Sequence, residues 1–156
     1  SLHAQYRLEA QESLDLRLLV ESVGDNLRDT GHDVQLADGP PAPMKGDPLS
    51  LRRMVANLVD NALKYGQRAQ LTLTAEPEGY RLQVDDEGPG IDSTQEEQLF
   101  MPFVRGDASR NRSTGGIGLG LASVKSTVLA HGGDVTLSNR RDGGLRASVH
   151  LPHRSA

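Results

Sequence analysis

Asn57, Asn61 and Lys64 stand at positions i, i+4 and i+7, so they share one face of any helix that contains them. The neutral oxygen of an asparagine amide suits Mg²⁺, an ion that usually keeps water ligands and shares phosphate oxygens. A lysine ammonium supplies a point charge for a phosphate group. The spacing therefore predicts a phosphate and magnesium site, although a capped or solvated helix face shows the same pattern.

A second candidate group lies in the segment Asp86–Ile91, which follows an alternating strand pattern. The Asp86 carboxylate can accept a hydrogen bond from an amino group such as that of adenine. Gly88 and Gly90 allow a backbone to approach a flat ligand closely, and Pro89 stiffens the turn between them. An ordinary Pro-Gly turn is the alternative interpretation.

Glycines also precede a predicted helix in the run Gly115–Leu121. Backbone N–H groups at such a helix N-terminus can bind an anion, and the helix dipole favours negative charge there. The run lacks the Gly-Lys-Ser/Thr of a P-loop, and it follows a long loop rather than the strand of a dinucleotide-binding motif. The expected anion-binding residues are Gly116, Ile117, Gly118, Leu119, Gly120 and Leu121.

The long segment 92–117 contains both phenylalanines of the chain, Phe100 and Phe103, and the arginines Arg105 and Arg110. A connection of this length in a compact domain is usually functional or disordered. The phenylalanines can anchor the segment to the core, and the arginines can neutralise phosphates or stay solvated. A lid over a nucleotide requires this mixture of anchors, charges and glycines.

Hydrophobic periodicity predicts the elements that position these residues. Helical spacing predicts three long helices, and two-residue alternation predicts strands and two hairpins. Residues 39–48 are expected to be a connection, and a short helix is expected near 95–99. The predicted helices lie between Asp15 and Gly31, at 49–65 and at 119–130, and the predicted strands are 33–37, 69–75, 80–84, 134–138 and 145–151.

This order of elements favours an α/β (α+β) two-layer sandwich. In such a fold, three helices cover one face of a mixed, mostly antiparallel five-stranded sheet. The composition excludes several other classes. A net charge of −4 and only five aromatic residues in 156 argue against general nucleic-acid binding.

Membrane and disulfide classes are also disfavoured. No stretch approaches the roughly 18 apolar residues of a membrane span, and the first residues show no signal-peptide pattern. The absence of cysteine excludes a disulfide scaffold, a thiol nucleophile and a cysteine-bound zinc site.

Five sequence blocks, in their order along the chain, resemble those of the nucleotide-binding domain of bacterial sensor histidine kinases. The resemblance covers residues 15–152, and the segments PLSLRR and PFVRGD look most like the osmosensing subgroup. It implies a Bergerat fold with a lid over an ATP site. The first four blocks look like the N, G1, F and G2 boxes; the five are MVANLVDNALKYG (54–66), VDDEGPGI (84–91), LFMPFVRGD (99–107), GGIGLGLASV (115–124) and AHGGDV (130–135).

The resemblance also implies a role for each candidate residue in binding ATP and Mg²⁺. Asn61 is the expected magnesium ligand, and Asp86 is the expected acceptor for the adenine amino group. The residues expected near the adenine and its sugar are Tyr65, Gly88, Gly90 and Ile91. The groups expected near the phosphates are Asn57, Lys64, Arg105, Arg110 and the backbone from Gly116 to Leu121, and the first three of these are the expected catalytic residues.

The chain lacks the phosphoacceptor context of that family. Sensor kinases phosphorylate a histidine that is followed by an acidic residue and, at a set spacing, a proline. None of the five histidines has this context; they are His3, His32, His131, His150 and His153. The expected partners are therefore a separate histidine-bearing helical hairpin of the parent kinase and, through that kinase, a response regulator. The chain alone is not expected to autophosphorylate.

The resemblance also predicts how the chain relates to its parent kinase. Residues 1–14 are expected to be the remnant of the linker to the hairpin, and 15–153 the ATP-binding domain. Dimerisation in this family resides in the hairpin, so we expect a monomeric fragment of a homodimeric kinase. The parent is expected at the bacterial inner membrane, with this domain in the cytoplasm.

Asn57 bears on the alternatives within the same fold family. ATP hydrolases such as DNA gyrase and MutL, and the serine-phosphorylating anti-sigma factors, carry a glutamate four residues before the magnesium asparagine, where Asn57 stands here. An amide cannot take up a proton at neutral pH, so Asn57 cannot act as a general base. A neutral imidazole is already a nucleophile, which favours histidine as acceptor. A pseudo-kinase that only binds nucleotide is a third alternative.

Overall fold

The computed structural model of the chain describes residues 11–101 and 117–154, which form seven strands and four α-helices. The strands are β1 (Glu12–Asp15), β2 (Asp33–Leu36), β3 (Pro43–Gly46), β4 (Arg68–Glu76), β5 (Gly79–Asp85), β6 (Asp134–Asn139) and β7 (Leu145–Pro152). The helices are α1 (Leu16–Asp29), α2 (Pro48–Gly66), α3 (Glu96–Leu99) and α4 (Ile117–Ala130), and a 3₁₀ turn at Ser93–Gln95 precedes α3.

Five strands form the main sheet, in the order β2-β4-β5-β7-β6. β2 and β4 pair in parallel, and the other neighbours pair antiparallel. Leu71, Leu82 and Val149 of this sheet are buried in one core with the apolar residues of α1, α2 and α4. The predicted two-layer sandwich with a mixed, mostly antiparallel five-stranded sheet is confirmed.

Local sequence explains why α2 begins and ends where it does. The Asp47 carboxylate accepts a hydrogen bond from the backbone N–H of Leu49 at 3.2 Å, and Pro48 occupies the first turn. Gln67 follows the helix in a left-handed conformation, with φ of 66°. The helix buries an apolar stripe that borders its polar face; the stripe consists of Leu51, Met54, Val55, Leu58, Val59 and Ala62.

β1 and β3 form a small second sheet that the sequence prediction missed. The sequence predicts a linker at residues 12–14 and a connection at 43–46, but Glu12–Asp15 pairs antiparallel with Pro43–Gly46. Each strand has only four residues, and the proline-rich surroundings of β3 hide an alternation in which Met44 and Gly46 are buried. Residues 1–10 of the predicted linker lie outside the described residues.

The remaining boundaries agree with the predictions to within two residues. α4 begins at Ile117 rather than at 119, and β7 extends to Pro152. Within residues 11–101 and 117–154, no helix combines the length and hydrophobicity needed to cross a bilayer.

Candidate functional site

Asp86 follows β5 directly, and its side chain is held by two backbone amides. Its Oδ1 accepts hydrogen bonds from the N–H of Gly88 at 2.8 Å and of Leu145 at 3.1 Å. The residue is 4% exposed. Its Oδ2 has no hydrogen bond to the residues that the structure describes, so this oxygen is the one available to a ligand donor.

The C-terminal end of α2 packs closely against the turn that begins at Asp86. A Cβ atom added to Gly66 would lie 2.5 Å from Cβ of Asp86, and one added to Gly88 would lie 2.5 Å from the carbonyl oxygen of Tyr65. Glycine at 66 and 88 therefore permits a close approach between the helix and the turn. Direct contact of Gly88 with a ligand stays a prediction.

Asn61 lies one and a half turns before this contact, on α2. The residue is 9% exposed, and its Oδ1 is buried without a hydrogen-bond partner among the described residues. An unpaired buried polar atom costs about 1–3 kcal/mol, so a ligand that uses this oxygen is the natural explanation. A hard cation fits an amide oxygen of this kind.

The described residues contain no group of three or more His, Cys, Asp and Glu side chains arranged to bind a metal. Mg²⁺ does not need such a cage, because it is usually bound through one or two protein ligands together with substrate phosphates and water. The single buried amide oxygen of Asn61 is therefore compatible with the magnesium site predicted from the sequence.

Asn57, on the same face of α2, contacts the first turns of α4. Its Nδ2 lies 3.5 Å from the carbonyl oxygen of Gly120, which is the outer limit of a hydrogen bond. A Cβ atom on Gly120 would make only ordinary contact with Asn57, at 3.8 Å. Ile117, Gly118 and Leu119 form the first turn of α4, and Leu121 is buried.

Four of the predicted site residues lie on one helix, α2. Asn57, Asn61 and Tyr65 follow one another at four-residue intervals on α2, and Lys64, beside them, lies 3.3 Å from the Asp60 carboxylate. The nine residue steps from Asn57 to Gly66 span roughly 13 Å at the rise of an α-helix. Asp86 lies at one end of this distance, and the start of α4 lies at the other.

Two residues that the sequence analysis missed, Asn139 and Arg140, contact the Asp86–Ile91 turn. Asn139 accepts a hydrogen bond from the N–H of Ile91 at 2.8 Å and donates one to its carbonyl at 2.7 Å. Arg140 donates to the backbone carbonyl of Asp86 at 2.7 Å. No local signal identifies them, because their partners lie 48 and 54 residues away in the chain.

The neighbouring carboxylate, Asp85, is already paired within the protein. Arg146 donates to both of its oxygens, at 2.8 and 2.9 Å, and this hydrogen bonding raises the pKa of the Arg146 guanidinium. Arg140 approaches the same carboxylate at 4.0 Å. Asp85 therefore makes its hydrogen bonds within the sheet, and Asp86 is the carboxylate of the two that keeps an oxygen without a partner among the described residues.

Arg105, Arg110 and Gly116, which were predicted to contact phosphates, lie outside the described residues. Phe100, at the end of the described part of the long segment, is buried, and the ammonium of Lys125 lies 5.1 Å from its ring centroid. The predicted anchoring of this segment to the core is confirmed at Phe100.

A mixed sheet covered by helices, with a carboxylate after one strand and amide side chains on the adjacent helix, is compatible with a nucleotide-binding α/β domain. The family model of histidine kinase-, DNA gyrase B- and HSP90-like ATPases matches residues 46–155. The chain therefore belongs to this family.

Relatives and solved structures agree with this assignment. The chain is 44% identical over 144 residues to the sensor histidine kinase GtrS of Pseudomonas aeruginosa, a match that covers 92% of this chain and 29% of GtrS. The ATP-binding domain of PrrB from Mycobacterium tuberculosis superposes with a TM-score of 0.76 at 27% identity, covering 94% of this chain and 99% of that one.

The full-length structure of ShkA in complex with AMPPNP gives a TM-score of 0.73 at 27% identity, covering 94% of this chain and 32% of ShkA. The chain spans less than a third of the length of its relative GtrS. The resemblance to the catalytic domains of sensor histidine kinases is confirmed, and the narrower resemblance to the osmosensing subgroup stays a prediction.

Proposed function

We propose that this domain binds Mg²⁺ and ATP and donates the γ-phosphoryl group to a histidine on a separate helical hairpin. The observation that carries the proposal is the unpaired, buried Oδ1 of Asn61, on the helix whose end packs against Asp86. A purine triphosphate has an amino group at one end and metal-binding phosphates at the other. The complex of the similar protein ShkA with AMPPNP supports ATP as the nucleotide.

Asp86 supplies the selectivity for adenine. The 6-amino group of adenine donates hydrogen bonds, whereas guanine presents a carbonyl oxygen at the same position. A carboxylate accepts from the first and repels the second. Because Oδ1 is occupied by two backbone amides, Oδ2 is the atom that we assign to the amino group. Tyr65, Gly88, Gly90 and Ile91 would border the base and its sugar.

The polar face of α2 and the beginning of α4 bind the triphosphate in this proposal. Asn61 would hold a magnesium ion that neutralises phosphate charge, and the backbone of Ile117–Leu121 would donate to phosphate oxygens. Asn57 and Lys64 lie beside them, and Arg105, Arg110 and Gly116 complete the proposed set. The domain contributes position and charge rather than a general base, as phosphoryl transfer mainly requires.

The reaction forms a bond between an imidazole nitrogen of the acceptor and the γ-phosphorus, and it breaks the bond to the β–γ bridging oxygen. ADP leaves with the electron pair, and the acceptor imidazole loses its N–H proton to the acidic residue that follows it on the hairpin. The partner is therefore a histidine-bearing hairpin of the parent kinase, which would pass the phosphoryl group to a response regulator. The parent is proposed to be a homodimer at the inner membrane, with this domain monomeric on its own.

The proposal is tested by incubating the domain with Mg²⁺ and labelled ATP, first alone and then with a separately produced histidine hairpin. We expect label on the hairpin only, and none when its phosphoacceptor histidine is replaced by alanine. Release of free phosphate by the domain alone would instead favour a hydrolase. Nucleotide binding without either product would favour a pseudo-kinase.

A further inference from the structure

We infer that Asn139 and Arg140, at the start of the β6–β7 turn, are positioning residues for the nucleobase. They hold the two ends of the Asp86–Ile91 turn and so set the position of the adenine acceptor. This inference rests on the proposed function, because it concerns how the proposed acceptor is placed. Neither residue would touch the nucleotide's reacting atoms.

Arg140 acts on the first end of that turn. The Nη1 of its side chain donates to the Asp86 carbonyl oxygen at 2.7 Å. The backbone N–H of Arg140 donates to the carbonyl of Gly144 at 2.8 Å, which closes the β6–β7 turn. The side chain is 28% exposed, so the guanidinium is largely packed in place. Arg140 thereby fixes the backbone from which the Asp86 side chain projects.

Gly144 and Leu145, at the end of the β6–β7 turn, also contact Asp86. The Leu145 N–H donates to Oδ1 of Asp86, and its carbonyl accepts from the Asp86 N–H at 3.0 Å. Gly144 has φ of +92°, and a Cβ atom there would lie 1.9 Å from the Asp86 carbonyl oxygen. The β6–β7 turn therefore contacts both the backbone and the carboxylate of Asp86.

Asn139 acts on the second end of the Asp86–Ile91 turn. Its side-chain amide binds both the N–H and the carbonyl of Ile91, as a neighbouring strand would do. A Cβ atom on Gly90 would lie 2.3 Å from Oδ1 of Asn139, so glycine at 90 is required for this contact. With Arg140 at one end and Asn139 at the other, the turn beneath the proposed base site is held at both ends.

The test compares ATP with an analogue whose purine lacks the 6-amino group, because only ATP can use the Asp86 carboxylate. Dissociation constants for both are measured by calorimetry with wild type, Arg140→Gln and Asn139→Ala. We expect each variant to lose roughly tenfold in affinity for ATP and to retain its affinity for the analogue. Arg141→Gln is the matched control, since Arg141 is exposed in the same turn and has no hydrogen bond or ion pair to the described residues.

A merely structural role gives a different result. If either variant weakened ATP and the analogue equally, or weakened neither, its residue would not position the acceptor. Thermal unfolding checks that the variants are folded. If Arg140→Gln is unstable, the comparison of ATP with the analogue is made with Asn139→Ala alone. If wild type bound ATP no more tightly than the analogue, the role of Asp86 in the proposed function would fail together with the inference. A preserved wild-type preference with unchanged variants would overturn the inference alone.

Discussion

The two ends of the proposed nucleotide site differ in how completely the protein satisfies its own polar groups. At the base end, Asp86 takes part in four hydrogen bonds, to Gly88, Arg140 and twice to Leu145. At the phosphate end, Asn61 Oδ1 has no partner among the described residues, and the contact from Asn57 to Gly120 is 3.5 Å long.

From this contrast we expect the base end to be formed before a ligand binds, and the phosphate end to gain its missing partner from the ligand. Substitutions at the base end should therefore weaken binding or the fold, since the backbone and Oδ1 of Asp86 are already hydrogen-bonded within the protein and only Oδ2 is open to a ligand. Substitutions that remove the unpaired oxygen at the phosphate end should weaken nucleotide binding but stabilise the fold, because this oxygen destabilises the protein without ligand. Each of the following predictions tests one side of this comparison.

Asp86→Asn should have the largest effect. The variant loses a charge-assisted hydrogen bond to the adenine amino group, which corresponds to about 1.5–3 kcal/mol and roughly 10- to 150-fold in affinity for ATP. Titration of ATP into the purified domain measures the loss. The neighbouring Glu87→Gln, which removes an exposed carboxylate from the same turn, is the control and should bind normally. Equal binding by wild type and Asp86→Asn would remove Asp86 from the base site.

Gly66→Ala tests whether the base end depends on close approach. The new methyl group would lie 2.5 Å from Cβ of Asp86 and 2.8 Å from the backbone nitrogen of Glu87, so the turn must shift. We expect the free energy of unfolding to fall by about 1–3 kcal/mol, with weaker nucleotide binding. Urea denaturation measures the first effect.

Gly24→Ala in α1 is the matched control for this substitution. Its methyl group would meet Arg28 and Val34 at 3.7 and 3.8 Å, which are ordinary contacts. Replacing a helical glycine without a clash should stabilise the domain by about 0.4–1 kcal/mol. If both variants behaved alike, helix propensity rather than the contact with Asp86 would decide the result.

Much of this comparison could be predicted from local patterns. The four-residue spacing of Asn57 and Asn61 placed them on one helix face beside the core, and the alternation of residues 80–84 placed Asp86 after a strand. Both depend on residues close together in the chain. Asn139 and Arg140 could not be predicted in the same way, because a turn sequence does not reveal a partner about fifty residues away.

The same limit explains the missed second sheet. β1 and β3 have four residues each, and they are strands because they pair with each other; neither is long enough to show a clear hydrophobic alternation in the sequence. The unpaired state of Asn61 Oδ1 was likewise beyond sequence reasoning, since it depends on what every neighbouring element leaves open. Sequence patterns therefore predicted a set of candidate site residues, and the structure was needed to show how differently the polar groups at the two ends are hydrogen-bonded.

Asn61→Leu should separate stability from binding at the phosphate end. Leucine has nearly the shape of asparagine without the unpaired oxygen, so we expect the nucleotide-free domain to gain about 1 kcal/mol in unfolding free energy. For a domain of this size, that gain raises Tm by roughly 2–4 °C. The same variant should lose the effect of Mg²⁺ on ATP affinity. A less stable variant, or an undiminished effect of Mg²⁺, would contradict the assignment of Asn61.

Asn57→Ala should have the smallest effect on the fold. Its contact with Gly120 is at the limit of hydrogen-bond length, so its removal should change the free energy of unfolding by no more than about 0.5 kcal/mol. Its affinity for ATP should nevertheless fall by about 2- to 10-fold, as expected for one lost hydrogen bond to a phosphate. Denaturation without nucleotide and titration with ATP measure the two quantities separately. If neither the unfolding free energy nor the affinity for ATP changed, the phosphate end would begin at Asn61, and the contact with α4 would have no part in binding. If the unfolding free energy fell strongly instead, this end would be as preformed as the base end.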